Sequence, residues 1–245
     1  MITWGISANS HDAALAVFSD DGLEFASHAE RFSGIKNDPH LNSKLINYAK
    51  QWGEPNEVVW YERPFRKTVR QFRAGQGWNW SENNIKKYLK GYSITCPIHY
   101  NSHHHSHASA GYYTSPFVDA TVVCIDSIGE FETLTIWDGQ DSKLKQIHSQ
   151  GYPHSIGLWY SAMTQRVGLK PNEDEYILMG MAAYGDSNRL FMDILHDFID
   201  KTGIGYDPSI KIKHNLHRGC KWWRPDLTTE QDMYEIAAAT QKVYE

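Results

Sequence analysis

Two stretches of this chain carry the same succession of strands, and that recurrence constrains the fold more than any other feature. Ile2–Ala8 is an apolar run, Ala13–Phe18 is a second, Asp20-Asp21-Gly22 supplies a turn, and Leu23–His28 follows as a third strand. From Ala120 the order returns. Thr121–Asp126 is an apolar strand ending in a carboxylate, Thr133–Trp137 is a second, Asp138-Gly139 a turn, and Leu144–His148 a third. The match is one of pattern, not of residue identity. Around the meanders, Leu41–Trp52, Pro64–Ala74 and Ser81–Lys90 read as helices, and Val58–Tyr61 and Ser93–Tyr100 as strands. Ser155–Val167, Glu175–Tyr184, Asn188–Lys201 and Thr228–Tyr244 read as further helices. A meander used twice among helices predicts an α/β fold on a duplicated unit. The second copy stops on a helix, short of the strands that close the first.

Such a fold needs a core, and 41% hydrophobic against 22% charged residues provides one. The apolar runs are strand-sized and no basic-then-apolar leader follows Met1, so neither a membrane span nor a secretory signal is expected. A formal charge of −5 disfavours nucleic acid and anionic membranes as partners. Cys96, Cys124 and Cys220 are odd in number and widely spaced, which predicts a reducing, cytoplasmic setting without a disulfide framework. Histidine is the abnormal count: 13, of which five lie between His99 and His107.

Within that cluster His103 and His107 are four apart, so on a helix both imidazoles leave one face. Two nitrogen ligands at that spacing suit a divalent metal, with a carboxylate from elsewhere to complete the site. A polar helix end with solvated or capping histidines satisfies the same spacing. Asp126-Ser127-Ile128-Gly129-Glu130 and Ser7–Asp12 occupy the tips of the two meanders, where a carboxylate and backbone N–H groups can meet phosphate or metal, or simply form polar hairpin tips. Arg63, Arg66, Lys67, Arg70 and Arg73 line one helix face, with Trp78 and Trp80 beyond. That face either holds an anion or is a solvated charged surface. His214, His217 and Cys220 lie in a second basic stretch, Lys211–Arg224, without the spacing of a structural zinc motif. No GxxxxGK[ST], GxSxG or HExxH motif is present.

In order along the chain, these blocks resemble the carbamoyltransferases of the nodulation-factor, cephamycin and tobramycin type. Gly5-Ile6-Ser7-Ala8, His11-Asp12-Ala13-Ala14 and Glu30-Arg31-Phe32 with Ile35-Lys36-Asn37-Asp38 are similar to that family's first block, and Tyr61-Glu62-Arg63-Pro64 with Lys67 to its second. His103-His104-His105-Ser106-His107-Ala108 resembles its metal-binding histidine block, and Asp126 through Glu130 its Asp-Gly-x-Gly-Glu turn. Pro153-His154-Ser155-Ile156-Gly157 and Glu175 through Gly185 resemble the blocks that follow.

The resemblance implies an actin-like ATPase (ASKHA, ribonuclease H-like) fold of lobes with mixed sheets flanked by helices, a first lobe over 1–117 and the incomplete start of a second, with a helical insertion, over 118–245. It implies transfer of a carbamoyl group from carbamoyl phosphate, through an ATP-derived carbamoyl adenylate, to a hydroxyl or amine of a small-molecule or nucleotide acceptor. His103, His107 and Asp126 would hold the metal, iron first among the divalent ions, with zinc or manganese as alternatives. Asp126, Gly129 and Glu130 would form the nucleotide turn, and Arg31 and Lys36 would anchor substrate or phosphate. His11 is the candidate for proton transfer at the acceptor, with His104 second. Two positions depart from the pattern: Ser127 stands where the family has glycine, and Ile177 where it has lysine. The rest of the second lobe and the domain that makes carbamoyl adenylate are expected on a missing C-terminal half or a partner chain. A catalytically incomplete nucleotide- and metal-binding module, or a metal-dependent hydrolase on His103, His107 and Asp126, are the competing readings.

Overall fold

The computed structural model describes residues 1–73, 75–200 and 210–245. Ala74 and Lys201, the last residues of two expected helices, lie outside the described residues. The chain forms two compact units, Met1–Ala110 and Gly111–Glu245.

In the first unit the meander is β1 (Thr3–Ser7), β2 (Ala14–Ser19) and β3 (Gly22–His28), antiparallel throughout. The helix α1 (Glu30–Ser33) ends at Gly34, whose φ of 73° places it in the left-handed region. Next come α2 (Ser43–Ala49), capped by Asn42, whose side chain accepts the Leu45 N–H, and a 3-10 turn over Lys50–Trp52. The strand β4 (Glu57–Trp60) then pairs parallel to β1. After α3 (Pro64–Arg73) and α4 (Ile85–Lys90), β5 (Ile98–Tyr100) pairs parallel to β4, giving the order β3-β2-β1-β4-β5. Period-two alternation sends Trp4, Ile6, Leu15, Val17, Val58 and Trp60 to one core with Leu45, Ile46, Ala49 and Leu89.

Two elements are shorter than the sequence pattern predicts. The strand expected from Ser93 begins at Ile98, because Ser93 is held at a φ of 62° and Pro97 has no N–H for a ladder. The helix expected from Ser81 begins at Ile85, where Asn84 accepts the Lys87 N–H at 3.0 Å. The helix α5 (His103–Tyr113) follows β5, and its residues through Ala110 belong to the first unit.

The second unit opens on β6 (Asp119–Gly129), β7 (Glu132–Gln140) and β8 (Lys143–Gly151), an antiparallel sheet in the order β6-β7-β8. The second meander is therefore real, but its turn falls at Asp141-Ser142 and not at Asp138-Gly139, which pair inside the ladder. Gly139 serves a close approach: a Cβ there would lie 2.7 Å from the Tyr112 ring. Among the described residues four helices follow: α6 (Ile156–Arg166), α7 (Glu175–Met181) with a 3-10 turn over Ala182–Tyr184, α8 (Phe191–Phe198) and α9 (Glu230–Tyr244). The short strands β9 (Ile199–Asp200) and β10 (Lys211–Ile212) pair with each other. Trp159, Met163, Leu178, Ile194, Phe198, Ile236 and Ala237 form this unit's core. Among the described residues no helix is long and apolar enough to cross a membrane.

Cys220 belongs to that core, fully buried, with its thiol donating to the Ala162 carbonyl at 3.2 Å and lying against the Met163 sulfur. Burial pushes the thiol up to about 12. The thiolate is the reactive species, so iodoacetamide at about pH 8 is expected to leave Cys220 unmodified in native protein and to label it after unfolding. Peptide mapping reads the result, and native labelling of Cys220 as fast as of half-buried Cys96 would refute it.

Candidate functional site

The parallel strands β1, β4 and β5 of the first unit end on the same side of the sheet, and the segments that follow them carry His11 and the histidines of α5. That is the edge at which α/β sheets bind ligands. β1 leads into the loop with His11, whose Nδ1 lies 2.9 Å from Asp12 Oδ2 and whose ring is 78% exposed. Asn9 and Asp12 take left-handed backbone conformations, φ 62° and 56°. The loop is fixed from outside itself: Asn9 N–H donates to Pro39 and Ala13 N–H to Asp38, both at 2.8 Å. The structure thus brings the His11 loop against the end of the Ile35–Asp38 block. Asp38 is buried, and hydrogen bonds from Ser33 and the His40 backbone hold its carboxyl below the usual carboxylate range. Lys36 and Arg31 are exposed nearby in sequence, with Arg31 Nη2 3.6 Å from Glu30 Oε1.

Lys67 departs from both readings of the basic face of α3, as an anion holder and as a solvated surface. It is 7% exposed, and its ammonium donates to Glu62 Oε1 at 2.7 Å and to the Asn9 carbonyl at 3.1 Å. A buried ion pair therefore ties the loop after β4 to the His11 loop. Neighbouring Tyr61 is also enclosed, and burial together with the Glu62 charge pushes its hydroxyl well above the usual phenol range.

The histidines stand on the first turns of α5 as their spacing predicts. His103 Nε2 and His107 Nε2 are 3.0 Å apart, the rings meeting edge-on with centroids at 4.7 Å. Tyr61 packs edge-on against His103 at 5.6 Å, and Ser106 Oγ donates to the Tyr61 carbonyl at 2.8 Å, fixing the helix start to the loop after β4. His105 Nδ1 lies 2.8 Å from Asn101 Oδ1, and burial with the Arg63 charge lowers its basicity. His104 is buried, at 2% exposure. Two imidazole nitrogens converging at 3.0 Å are within reach of one ion at bonds of about 2.0–2.1 Å, so the donor pair fits a divalent metal.

Asp126, Gly129 and Glu130 belong to the second unit, and the strand does not end at Asp126 as its apolar run suggests. β6 continues to Gly129 through a register shift, and Asp126 lies inside the irregular stretch, its Oδ1 accepting the Ser127 N–H at 2.7 Å. Ser155, the N-cap of α6, donates to the Ser127 carbonyl at 2.7 Å and also lies 3.2 Å from that of Asp126. A Cβ on Gly157 would sit 2.9 Å from the Ser127 Cα and N, so only glycine lets the first turn of α6 lie against this stretch. Ser127 has no left-handed backbone, so serine stands there without strain. Glu130, with φ 49° and 1% exposure, forms with Phe131 the two-residue tip closed by Gly129 opposite Glu132. The Glu62–Lys67 pair and the Gly157 contact were not assigned roles from the sequence. Their signals were Lys67 following Tyr61-Glu62-Arg63-Pro64 and a glycine just past a helix cap.

Among the described residues, one mixed and two antiparallel sheets with flanking helices, and a convergent imidazole pair at the ends of parallel strands, define an α/β protein with a candidate metal-binding helix start. Residues 60–222 match the family model described as Carbamoyltransferase N-terminus, and the chain belongs to the carbamoyltransferase family. Nodulation protein NolNO of Sinorhizobium fredii is 28% identical, over 96% of this chain and 37% of that protein. Uncharacterized protein sll1178 of Synechocystis sp. is 33% identical, over 79% of this chain and 36% of that protein. The chain therefore spans well under half the length of these relatives. Among solved structures, the Aquifex aeolicus Ppx/GppA phosphatase is 14% identical with a TM-score of 0.36, over 76% of this chain and 64% of that one. That similarity is too low to define the fold.

Proposed function

We propose that this chain is the part of a carbamoyltransferase that holds a metal and receives the activated carbamoyl group, on an actin-like (ASKHA) fold. Its lobes are assigned to 1–117 and 118–245. The observation that carries the reading is the His103–His107 pair, 3.0 Å apart, in a chain of this family. Asp126 is assigned as the carboxylate partner of the pair, and with Gly129 and Glu130 to the nucleotide. A divalent ion, iron before zinc or manganese, supplies Lewis acidity toward the carbamoyl carbonyl or the adenylate phosphate when bound.

The donor is carbamoyl adenylate, made from carbamoyl phosphate and ATP by a region outside this sequence. In transfer, the bond from the carbamoyl carbon to the adenylate oxygen breaks as the bond to the acceptor oxygen or nitrogen forms, and AMP leaves. The acceptor proton goes to His11. Asp12 beside Nδ1 favours the tautomer that leaves the exposed Nε2 open as the base. His104 is too enclosed to meet an acceptor directly and has the weaker claim. Arg31 and Lys36, both exposed, are assigned to attract the anionic donor.

Metal analysis of the purified chain tests the assignment. His103→Ala/His107→Ala is expected to lower bound divalent metal by about tenfold or more, since each ligand's loss costs more than the 10–100-fold effect of an outer-shell partner. In the presence of the region or partner chain that makes carbamoyl adenylate, the same pair of changes is expected to abolish carbamoyl transfer while leaving ATP- and carbamoyl-phosphate-dependent pyrophosphate release in place. Unchanged metal content in the double variant would overturn the ligand assignment, and phosphate release from simple esters without ATP would favour a hydrolase.

A further inference from the structure

The first unit has a second recess that the carbamoyl-transfer reading does not use. It is a cavity of about 500 Å³ lined by Arg63, Phe65, Trp80, Asn83, Lys86 and Tyr100. Its size falls within the range of small-molecule sites, and its walls combine aromatic faces with a few polar groups, as such sites do. Phe65, Trp80 and Tyr100 remain 60%, 45% and 38% exposed, a concentration of large rings that a solvated surface seldom leaves open. Phe65 and Trp80 meet edge-to-face at 6.3 Å, one ring setting the angle of the other. Their support is internal. Buried Asn83 donates to Thr68 Oγ1 and Gln71 Oε1, both at 2.8 Å, and so pins the segment carrying Trp80 to α3.

Charge narrows what fits. Arg63 and Lys86 both line the recess, and Lys86 forms no ion pair among the described residues. Guanidinium and ammonium groups beside ring faces recognise a flat ring that carries an anion: the ring stacks on the aromatics, and the cations meet its charge. The place also suits a ligand. Arg63 lies in the loop after β4, and Tyr100 ends β5, so the cavity opens at the carboxyl ends of two parallel strands. A long polyanion is a poor match, because the chain is acidic overall and the cations lie in one bounded recess of about 500 Å³, whose lining offers no basic track leading along the surface from it.

We propose that this cavity is a binding site for a small molecule in which a planar ring bears a phosphate or carboxylate. The site goes beyond the carbamoyl-transfer reading and stands without it. Its test uses the intact chain with its tryptophans labelled at the indole nitrogen, and phenyl phosphate as the probe. The Trp80 signal is identified by its loss in Trp80→Phe. Phenyl phosphate is expected to move that signal saturably, and phenol or inorganic phosphate alone to move it far less at the same concentration. Lys86→Glu, a change at an exposed side chain, is expected to weaken phenyl phosphate by about tenfold while leaving the other indole signals in place. An unmoved or unsaturated Trp80 signal, an equal response to phenol, or unchanged affinity in Lys86→Glu would overturn the proposal. Tighter binding of a short oligothymidylate than of phenyl phosphate would replace the small-molecule assignment with a nucleic-acid one.

Discussion

Lys67→Met is expected to destabilise the first unit by about 3–5 kcal/mol, the range for removing one partner of a buried ion pair. The side chains of Lys67 and Glu62 are only 9% and 6% exposed, and their 2.7 Å contact lies where water cannot replace either charge. Without the ammonium, the Glu62 carboxylate stays buried and the Asn9 carbonyl loses its 3.1 Å donor. At several degrees per kcal/mol, the loss corresponds to a drop of roughly 10–20 °C in the unit's unfolding midpoint. The compensating double variant, Lys67→Met with Glu62→Leu, is expected to recover most of it, because a well-packed apolar pair avoids the stranded charge. Urea unfolding of the two single variants and the double variant measures the coupling. A loss below about 1 kcal/mol for Lys67→Met would place the pair with solvent-screened surface bridges instead. The same substitution frees the loop that carries His11, so hydrogen exchange at Asn9 and Ala13 should rise before global unfolding does.

That pair also shows where sequence reading stops. Lys67 shares a face of α3 with Arg66 and Arg70, and pattern alone leaves that face either holding an anion or solvated. The exception comes from a loop nearly sixty positions away, whose carbonyl accepts from Lys67; no local periodicity carries that information. Strands were legible because alternation and apolar runs follow directly from a half-buried pleat. Their ends were less so. Gly139 reads as a turn residue, yet it lies within β7 because the Tyr112 ring occupies the space a side chain would need. Asp126 reads as the end of a strand, yet the strand continues through an irregularity fastened by Ser155.

Of the candidate site, the part that depends on helical geometry was fully visible. A four-residue spacing places His103 and His107 on one face, and the rings converge there. The family was legible from the order of the motifs, and the match over residues 60–222 shows it. The aromatic recess was half visible, as basic residues followed by tryptophans. Only the fold separates Arg63, which lines it, from Lys67, which is spent on a buried pair.

Gly185→Ala is the second substitution with a large expected effect, and its cost is purely steric. Gly185 has φ −110° and ψ 163°, a conformation open to any residue, so backbone strain plays no part. A Cβ there would run into the Tyr234 carbonyl oxygen and carbon and lie 2.7 Å from the Glu235 nitrogen. Those atoms are helix backbone and cannot rotate aside. Relief requires α9 to move away from the Ala182–Tyr184 turn, and with it Ile236, Ala237 and Ala239, all fully buried in the second unit's core. Overpacking typically costs about 1–3 kcal/mol, and a contact this short against backbone belongs at or beyond the upper end. Gly180→Ala supplies the control. It lies in α7, just ahead of that 3-10 turn, and a methyl group added there would meet nothing within 4 Å. Alanine's helix preference is therefore expected to stabilise the unit by about 0.5–1 kcal/mol. Two glycines so close in sequence should thus move the urea midpoint in opposite directions. If Gly185→Ala shifted stability by less than about 0.5 kcal/mol, the α9 backbone would not sit against the turn, and the tight packing of this unit's core would have to be redrawn.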